Sequence, residues 1–378
     1  MNIKKITAFA ADFVLSIGVL AAVPEVTEDY DGSVVVASAD DEDFECHTYS
    51  VKIENGRYVK KKGIAGYNGK GGDIRIPDGV EYISDEAFWY NKTITSVTFP
   101  KSCTLVGTSA FNGCKKLKKV TFEGDADIGD FAFNETAIKS ITIKGNAKIG
   151  RSIYGGYKSD KYPYDDIYTL ENIVIGGNAE IGEAGFGSVR SLKKVTIKGD
   201  CKIGEDAFIG CWSLKNVTIN GAIIDEVGVS AFEYCTSLRM IKLPENENGF
   251  RIREFAFKDC WSLSSINIPS KCKSIEYAAF RNCFSLKELT IPEKTELDEG
   301  SVGYSRLYAK KEQAGDKVTD GIEMLNFIGD GKKFGYDWNG KTQKIIKATP
   351  ARLTLTVTKG SPAEKYAKEN GIKYKYAK

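Results

Sequence analysis

Few residues in this chain of 378 could carry acid–base or nucleophilic chemistry. It has a single histidine, His47, which follows Cys46 in the acidic stretch DDEDFECHTY at 40–49. Sequence adjacency alone does not make a nucleophile and base pair, because the two side chains must face each other in the fold. We interpret His47 as a surface histidine in a flexible segment. A triad or catalytic zinc site that needs histidine elsewhere in the chain is excluded.

The nine cysteines follow a pattern that favours packing over chemistry. Five occupy one register, three residues after a recurring aromatic: Cys114, Cys211, Cys235, Cys260 and Cys283. One register predicts one buried column, in which cysteine acts as a small apolar filler. Stacked strands lie ~4.8 Å apart, whereas a disulfide needs Cβ atoms ~3.8 Å apart. We expect free buried thiols, with a disulfide as the alternative. The sequence has no C-x-x-C pair and no histidine cluster, so it does not predict a metal site.

Carboxylates and glycines give no catalytic pattern either. Acidic residues such as Asp85, Glu86, Asp130, Glu205 and Asp206 fall at turn positions and are interpreted as solvated. Two of them could form a glycosidase pair, which remains a remote alternative. The stretch GYNGKGGD at 66–73 lacks the Lys-Ser/Thr ending of a phosphate loop. The sequence therefore predicts no enzyme and no cofactor.

An internal repeat explains most of these residues. The unit IG-x-x-AF-x-x-C-x-x-L-x-x-V-x-I reads VGTSAFNGCKKLKKVTF at 106–122 and IGEDAFIGCWSLKNVTI at 203–219. Its aromatic recurs every 21–25 residues, apart from one step of 32 that holds an insertion at 155–168. A fixed period of this length is typical of a solenoid. The repeat aromatics are Phe88, Phe111, Phe133, Tyr154, Phe186, Phe208, Phe232, Phe257 and Phe280.

The second half of each unit predicts a short strand. Aliphatic residues follow the aromatic at six, nine and eleven positions, as in Leu214, Val217 and Ile219, and the last two alternate with a polar residue. Stacked side by side, ten such strands form a parallel sheet roughly 50 Å long. We expect the first half to form a second short extended piece and a tight helical or 3₁₀ turn.

The L-x-x-V-x-I-P, I-G-x-x-A-F and F-x-x-C pieces resemble the BspA-like leucine-rich repeats of bacterial secreted and surface proteins. The resemblance implies a right-handed leucine-rich-repeat solenoid of short parallel β-strands, and adhesion or host and glycan contact as in some members, without catalytic residues. It divides the chain into a hairpin cap at 40–79, about ten repeats at 80–305 and a capping segment at 306–378.

The ends predict export and a C-terminal cap. Lys4 and Lys5 precede a mostly apolar stretch at 6–23, and a small-x-small site at 37–39 suggests a signal peptide over 1–39. A disordered or membrane-anchoring N-terminus is the alternative. No LPxTG-like sorting signal follows, so we expect release or non-covalent retention. Ser361 and Glu364 form a capping box that predicts a helix over 361–370, between strands at 350–357 and 372–376. An independent binding module is the other reading of 306–378.

Net charge argues against nucleic acid as a partner. The chain carries 53 basic and 51 acidic residues, a formal +2. Removing 1–39 takes away two basic and five acidic residues, so the formal charge rises to +5. Nucleic-acid-binding domains concentrate basic residues more heavily. We expect no transmembrane segment in the mature chain, because no other stretch approaches the ~20 apolar residues of a membrane span.

The outward positions of the strands supply the candidate binding residues. A threonine column, flanked by a basic column, should line one face of the solenoid and favour acidic partners. Threonine also suits any strand, and lysine protects an exposed sheet, so plain sheet surface is the alternative. The candidates are Thr121, Thr142, Thr196, Thr218, Lys118, Lys139, Lys193, Lys215 and Arg239.

Aromatic side chains supply the second candidate surface. The insertion contains Tyr157, Tyr162, Tyr164 and Tyr168, which could contact sugars or proteins or pack the loop onto the solenoid. Trp212 and Trp261 share one register and form an exposed edge or pack between turns.

Three functions follow from these surfaces. The first is a secreted or cell-surface, non-catalytic adhesion protein that binds a host or microbial protein through the sheet face. The second is a carbohydrate-binding module that uses the tyrosine-rich insertion. The third is a structural spacer without a specific ligand.

Overall fold

The computed structural model describes residues 26–27, 42–52, 58–154, 169–245, 247–303 and 353–378. The signal peptide predicted at 1–39, except 26–27, and the insertion at 155–168 lie outside these residues. In chain order the elements are β1 (Val26–Thr27), β2 (Phe44–Lys52), β3 (Tyr58–Tyr67), β4 (Gly72–Arg75), β5 (Tyr82–Ile83), β6 (Ile94–Phe99), β7 (Leu105–Val106), β8 (Lys119–Phe122), β9 (Ala126–Ile128), β10 (Ser140–Ile143), β11 (Ala147–Ile149), β12 (Asn172–Ile175), β13 (Ala179–Ile181), β14 (Lys194–Ile197), β15 (Cys201–Ile203), β16 (Asn216–Ile219), β17 (Ile223–Val227), β18 (Met240–Lys242), β19 (Phe250–Ile252), β20 (Ser265–Asn267), β21 (Cys272–Ile275), β22 (Glu288–Thr290), β23 (Glu296–Leu297), β24 (Thr354–Val357), α1 (Pro362–Glu369) and β25 (Lys373–Tyr376).

Each unit contributes one strand to each of two parallel sheets, and we call one such unit a coil. The even-numbered strands from β4 to β20 form a nine-stranded sheet, and the odd-numbered strands from β5 to β23 extend a thirteen-stranded sheet that begins with β1, β2 and β3. The chain thus winds through about eleven coils with little helix. This confirms the predicted solenoid of short parallel strands and its second extended piece.

Stacked aromatic rings fill the space between the sheets. The ring centroids of Phe208, Phe232, Phe257 and Phe280 follow one another at 5.2, 5.3 and 5.2 Å, and the rings are nearly parallel. The coil spacing of ~4.8 Å brings equivalent rings into this contact. All four side chains are buried. Truncating one ring to alanine would cost about 3–5 kcal/mol, because the rigid stack cannot close the cavity.

The expected tight turn around each aromatic is present, but β-turns build it instead of a helix. Glu233 N–H closes a local turn on the carbonyl of Ser230 at 2.9 Å, while Phe232 N–H crosses to the carbonyl of Ala256 in the next coil at 2.8 Å. Ser230 adopts a left-handed φ of 52°, and Tyr234 one of 60°. Alternating backbone handedness sends every second N–H to the neighbouring coil, so the helical ladder cannot form. The residue two before the repeat aromatic has positive φ in all nine coils: Glu86, Ser109, Phe131, Ser152, Ala184, Asp206, Ser230, Phe255 and Ala278.

Both ends of the stack carry additional strands. The antiparallel hairpin β2–β3 joins the coils through the parallel pair β3–β5. His47 pairs with Gly63 inside this hairpin, so its interpretation as part of a flexible segment is wrong. At the other end, β22, β24 and β25 form a parallel three-stranded sheet. The helix predicted at 361–370 is α1, with Ser361 Oγ accepting from Glu364 N–H at 3.2 Å as the capping box requires.

Candidate recognition face

The threonine ladder predicted from the repeat lies in register on the nine-stranded sheet. Thr98 pairs with Thr121, and Thr121 with Thr142, in adjacent strands. Val174 interrupts the ladder, which resumes with Thr196 and Thr218. Alternation along each strand turns these side chains away from the core, because the neighbouring positions are buried.

The threonines do not present their hydroxyls equally. Thr218 is exposed, whereas Thr121, Thr142 and Thr196 are half-buried between their neighbours. The hydroxyl oxygen of Thr196 is covered and has no hydrogen-bond partner among the described residues. Thr218 is therefore the ladder position that offers its side chain to solvent most openly.

The basic candidates also form one row, just before the strands begin. Lys139 N–H donates to the carbonyl of Lys118 at 2.9 Å, and Lys215 N–H donates to the carbonyl of Lys193 at 3.1 Å. Glu171 occupies the row between Lys139 and Lys193, to whose backbone it is joined in the same way. We call the exposed side chains Lys118, Lys139, Lys193, Lys215 and Arg239 the basic row.

Only one member of the basic row is neutralised within the described part of the chain. Lys193 Nζ lies 2.9 Å from Glu171 Oε2. Lys118, Lys139, Lys215 and Arg239 make no ion pair with any described residue. Lys119 and Lys194, in the next column toward the threonines, add two more exposed positive charges. The outer face of the nine-stranded sheet therefore carries positive charge that the solenoid itself does not neutralise.

On the thirteen-stranded sheet, several cations form ion pairs with carboxylates of adjacent coils. Lys148 Nζ lies 3.8 Å from Asp127 Oδ2, and Lys202 Nζ lies 3.3 Å from Glu180 Oε1. Arg253 bridges two further coils, at 3.2 Å from Glu226 and 3.0 Å from Glu276. Opposite charges in adjacent strands stabilise a sheet surface modestly and cancel its field. Arg251 and Lys273 on this sheet make no ion pair with a described residue, so the two sheets differ in how many aligned cations remain unpaired, and the nine-stranded face has more of them.

One end of that face carries paired charges. Arg75 contacts Glu123 at 2.9 Å, which lowers the pKa of the Glu123 carboxyl. Asp73 accepts hydrogen bonds from Ser96 and Thr95 at 2.7 and 2.8 Å, and these bonds lower its pKa. The unneutralised row thus begins beyond this paired end, at Lys118.

The predicted tyrosine site cannot be placed on this surface. Tyr157, Tyr162, Tyr164 and Tyr168 lie in 155–168, outside the described residues. The neighbouring coils that frame the insertion, around Tyr154 and Leu170, are buried.

A ladder of acidic and amide side chains was missed by the sequence reasoning. Asn178 Oδ1 accepts the backbone N–H of Asp200 at 2.8 Å, and Asp200 Oδ1 accepts that of Ala222 at 2.8 Å. Asp85 and Asp130, interpreted above as solvated, likewise hold backbone N–H groups of the next coil at 2.7 Å. The recurring Gly-Asp and Gly-Asn pairs were the available signal. Glycine is needed there because a Cβ at Gly199 would lie 2.2 Å from Asn178 Oδ1.

The interior offers no nucleophile in the described residues. None of the nine cysteines forms a disulfide, and all are buried. Burial raises the pKa of the Cys114 thiol to about 12 and raises that of Cys235 well above its ordinary value. Protonated thiols are poor nucleophiles and poor metal ligands. The described ranges also contain no cluster of three or more His, Cys, Asp and Glu side chains that could hold a metal ion.

The repeat itself identifies the family. The model of the BspA type leucine rich repeat region matches six copies, at residues 67–159, 159–287 and 250–299, which is more than half of the chain. The chain belongs to the BspA-type leucine-rich-repeat family. No curated protein matches its sequence. The BspA-type solenoid contains no helix, within its described residues, that is long and apolar enough to cross a membrane.

Solved structures similar to this BspA-type chain come from several bacteria. The T. pallidum leucine rich repeat protein is 20% identical, with 66% of this chain and 90% of that one covered and a TM-score of 0.32. A leucine rich cell surface protein from Faecalibacterium prausnitzii is 18% identical over 68% and 85%, with a TM-score of 0.27. The pneumococcal vaccine antigen PcpA is 13% identical over 88% and 97%, also with a TM-score of 0.27.

Proposed function

We propose that the protein is a secreted or surface-bound adhesion protein that binds an acidic patch on a host or microbial surface protein. The family suggests a non-catalytic role in recognition. The contact is the outer face of the nine-stranded sheet, with the basic row along one side and the threonine ladder across it.

The observation that carries the proposal is the difference in charge pairing between the two sheets. On the thirteen-stranded sheet, Lys148, Lys202 and Arg253 meet carboxylates of neighbouring coils. Arg251 and Lys273 are its exposed cations without an ion pair among the described strands. On the nine-stranded sheet, Lys118, Lys139, Lys215 and Arg239 meet none among the described residues. If lysine served only to keep an exposed sheet soluble, either arrangement would suffice. Several aligned, unpaired cations instead steer and orient an oppositely charged partner, even though Glu171 and Lys193 form one ion pair within the row.

The size of this face fits a protein partner. Nine strands at ~4.8 Å and four to five residues at ~3.3 Å give a surface of roughly 40 by 15 Å, or about 600 Å². One partner of a standard interface buries ~800 Å². The only large apolar side chain that is strongly exposed in the described strands of this face is Met240. Binding should therefore depend mainly on charge and hydrogen bonds, with a strong response to salt.

The test is a binding screen of the purified full-length chain against a panel of extracellular-matrix and bacterial surface proteins of differing net charge. We expect saturable binding to acidic panel members, at least about tenfold weaker at 0.5 M than at 0.05 M ionic strength because salt screens exposed charges. Binding that ignores salt would contradict an ionic contact. A blank against the whole panel would favour the structural-spacer reading.

A further inference from the structure

We propose that a second surface, along one edge of the coils from Phe186 to Phe280, binds an acidic polysaccharide that runs along the solenoid axis. This surface, which we call the edge band, consists of the four residues from the fourth to the seventh position after the repeat aromatic in five successive coils. Its segments are 190–193, 212–215, 236–239, 261–264 and 284–287. It goes beyond protein recognition by the sheet face, because its ligand is a polysaccharide and its aromatic and serine contacts lie outside the basic row and the threonine ladder, although Lys193, Lys215 and Arg239 belong to both surfaces.

Exposed aromatic rings occupy the first position in three of the five segments of the edge band. Trp212, Trp261 and Phe284 are 45%, 42% and 41% exposed, although the repeat aromatics Phe208, Phe257 and Phe280 of the same coils are buried. Backbone hydrogen bonds keep them in line, from Ser237 N to the Trp212 carbonyl and from Ser262 N to the Thr236 carbonyl, both at 3.2 Å. The tryptophans are thus held on one edge, and packing between turns does not explain their exposure.

The two tryptophan rings are fixed by neighbouring polar groups. The guanidinium carbon of Arg190 lies 3.7 Å from the centroid of the Trp212 ring. Trp261 Nε1 donates to Asp259 Oδ1 at 3.2 Å, and Asn282 Nδ2 donates to the same oxygen at 2.8 Å. Rings already held in place lose little conformational entropy when a ligand covers them.

Serine occupies the second position of all five segments: Ser191, Ser213, Ser237, Ser262 and Ser285. The hydroxyls of Ser191 and Ser285 donate to carbonyl oxygens of the preceding coil at 2.8 Å. Those of Ser213, Ser237 and Ser262 have no partner among the described residues. A row of unengaged hydroxyls beside aromatic rings suits sugar hydroxyls, since each serine can both donate and accept.

Charge on the edge band selects an acidic ligand. None of its twenty positions is Asp or Glu. Its cations are Arg190 at the Trp212 ring and, in the last position of four of the five segments, Lys193, Lys215, Arg239 and Lys287. Lys193 is paired with Glu171, whereas Lys215 and Arg239 have no carboxylate partner in the described ranges. Uronate carboxyl groups would complete these pairs.

The spacing of the tryptophans fits an extended chain of sugars. Trp212 and Trp261 lie two coils apart, roughly 10 Å. In an extended β-1,4-linked polysaccharide each sugar is turned over relative to the next, so equivalent ring faces recur once per disaccharide, a comparable length. Alternate sugars would meet the two tryptophans, while the sugar between them lies over the small side chain of Thr236.

Two matched hexasaccharides test the proposal on the full-length chain by calorimetry. One is β-1,4-linked hexaglucuronate, and the other is cellohexaose, which has the same linkage but no carboxylates. We expect hexaglucuronate to bind saturably and cellohexaose at least about tenfold more weakly. Trp212→Ala and Trp261→Ala should each weaken hexaglucuronate binding about tenfold or more, as expected for a central aromatic contact. Trp89→Ala is the control, because Trp89 is 55% exposed in a coil outside the edge band.

The alternatives give distinct results. No hexaglucuronate binding, or equal binding of cellohexaose, would overturn the acidic-glycan assignment. Loss of self-association in Trp212→Ala, seen by sedimentation, would assign the edge band to a second copy of the chain instead. If Trp261→Ala unfolds because Asp259 loses one of its two donors, Lys215→Glu together with Arg239→Glu provides the second variant. Hexaglucuronate binding that survives this reversal would also overturn the proposal.

Discussion

The thiol of Cys235 donates a hydrogen bond to the carbonyl oxygen of Phe208 in the preceding coil, with Sγ and O 3.3 Å apart. The same relationship joins the other column cysteines to Phe88, Phe186, Phe232 and Phe257, at 3.0 to 3.2 Å. Cysteine at this position is therefore more than an apolar filler. It is small enough for the column and gives the carbonyls of Phe88, Phe208, Phe232 and Phe257 a second donor, beside the N–H that closes the local turn.

Replacing one column thiol should separate volume from hydrogen bonding. Cys235→Ala removes both, and we expect the free energy of unfolding to fall by about 1–2 kcal/mol. Cys235→Ser keeps a donor in the same place, so its free energy of unfolding should fall by less. Denaturant unfolding of the three proteins measures the difference. A serine variant no more stable than the alanine variant would show that the thiol only fills space.

Thiol reactivity should follow the folded state. Burial raises the pKa of Cys103, Cys201 and Cys272 to about 12. It also raises the pKa of the column thiols, such as that of Cys211. We expect a thiol reagent to label the native protein very slowly at neutral pH, and to label nine thiols after unfolding without reductant. Fewer than nine would reveal a disulfide and contradict the observed column.

The acid and amide ladder should tolerate exchange of oxygen donors but not their loss. Asn178→Asp retains an acceptor for the Asp200 N–H, and the ladder already holds aspartate at Asp125 and Asp200. We expect it to change the free energy of unfolding by less than about 0.5 kcal/mol, and Asn178→Ala to lower it by about 1 kcal/mol. Equal effects of the two substitutions would mean that the hydrogen bond between Asn178 Oδ1 and the Asp200 N–H does not stabilise the fold.

The C-terminal helix should give the fold an acid-sensitive contact. Hydrogen bonds from Lys368, Gly360 N–H and Tyr376 lower the pKa of Glu364 from its ordinary 4.5 to about 2. Because the folded pKa is the lower one, the stabilisation is complete above pH 4.5 and is lost as pH falls from 4.5 toward 2. Unfolding followed over this range should therefore depend on pH less steeply in Glu364→Gln than in the parent. Parallel curves for the two proteins would contradict this role for Glu364.

The repeat made the scaffold predictable, because one register error would have moved every Val217-like side chain out of the core. The strand columns and the capping box at Ser361 followed from periodicity and local chemistry. The turn backbone could not be predicted in this way. Left-handed φ is usually indicated by glycine, whereas Glu86, Ser109 and Phe131 adopt it without being glycine. Those conformations persist because inter-coil hydrogen bonds over-determine them.

The candidate site was also predictable only in part from the sequence. Register placed Lys118 and Thr121 in their columns, and the structure has them there. Which lysines remain unpaired depends on neighbours in adjacent coils, such as Glu171 beside Lys193, and on the opposite sheet. Those contacts join residues about twenty or more positions apart, and a column of single letters does not reveal whether their charges meet.

The most direct test of the account reverses the unpaired charges. Lys118, Lys139 and Lys215 are changed together to Glu, and the affinity for the strongest acidic partner of the protein panel is measured. The matched control changes Lys101, Lys198 and Lys271 to Glu, which alters net charge equally from exposed positions outside the basic row. We expect at least about a hundredfold weaker binding for the first variant, because several like charges would then face the partner, and a much smaller loss for the control. Equal losses in the two variants, or unchanged binding in both, would contradict recognition by the nine-stranded face.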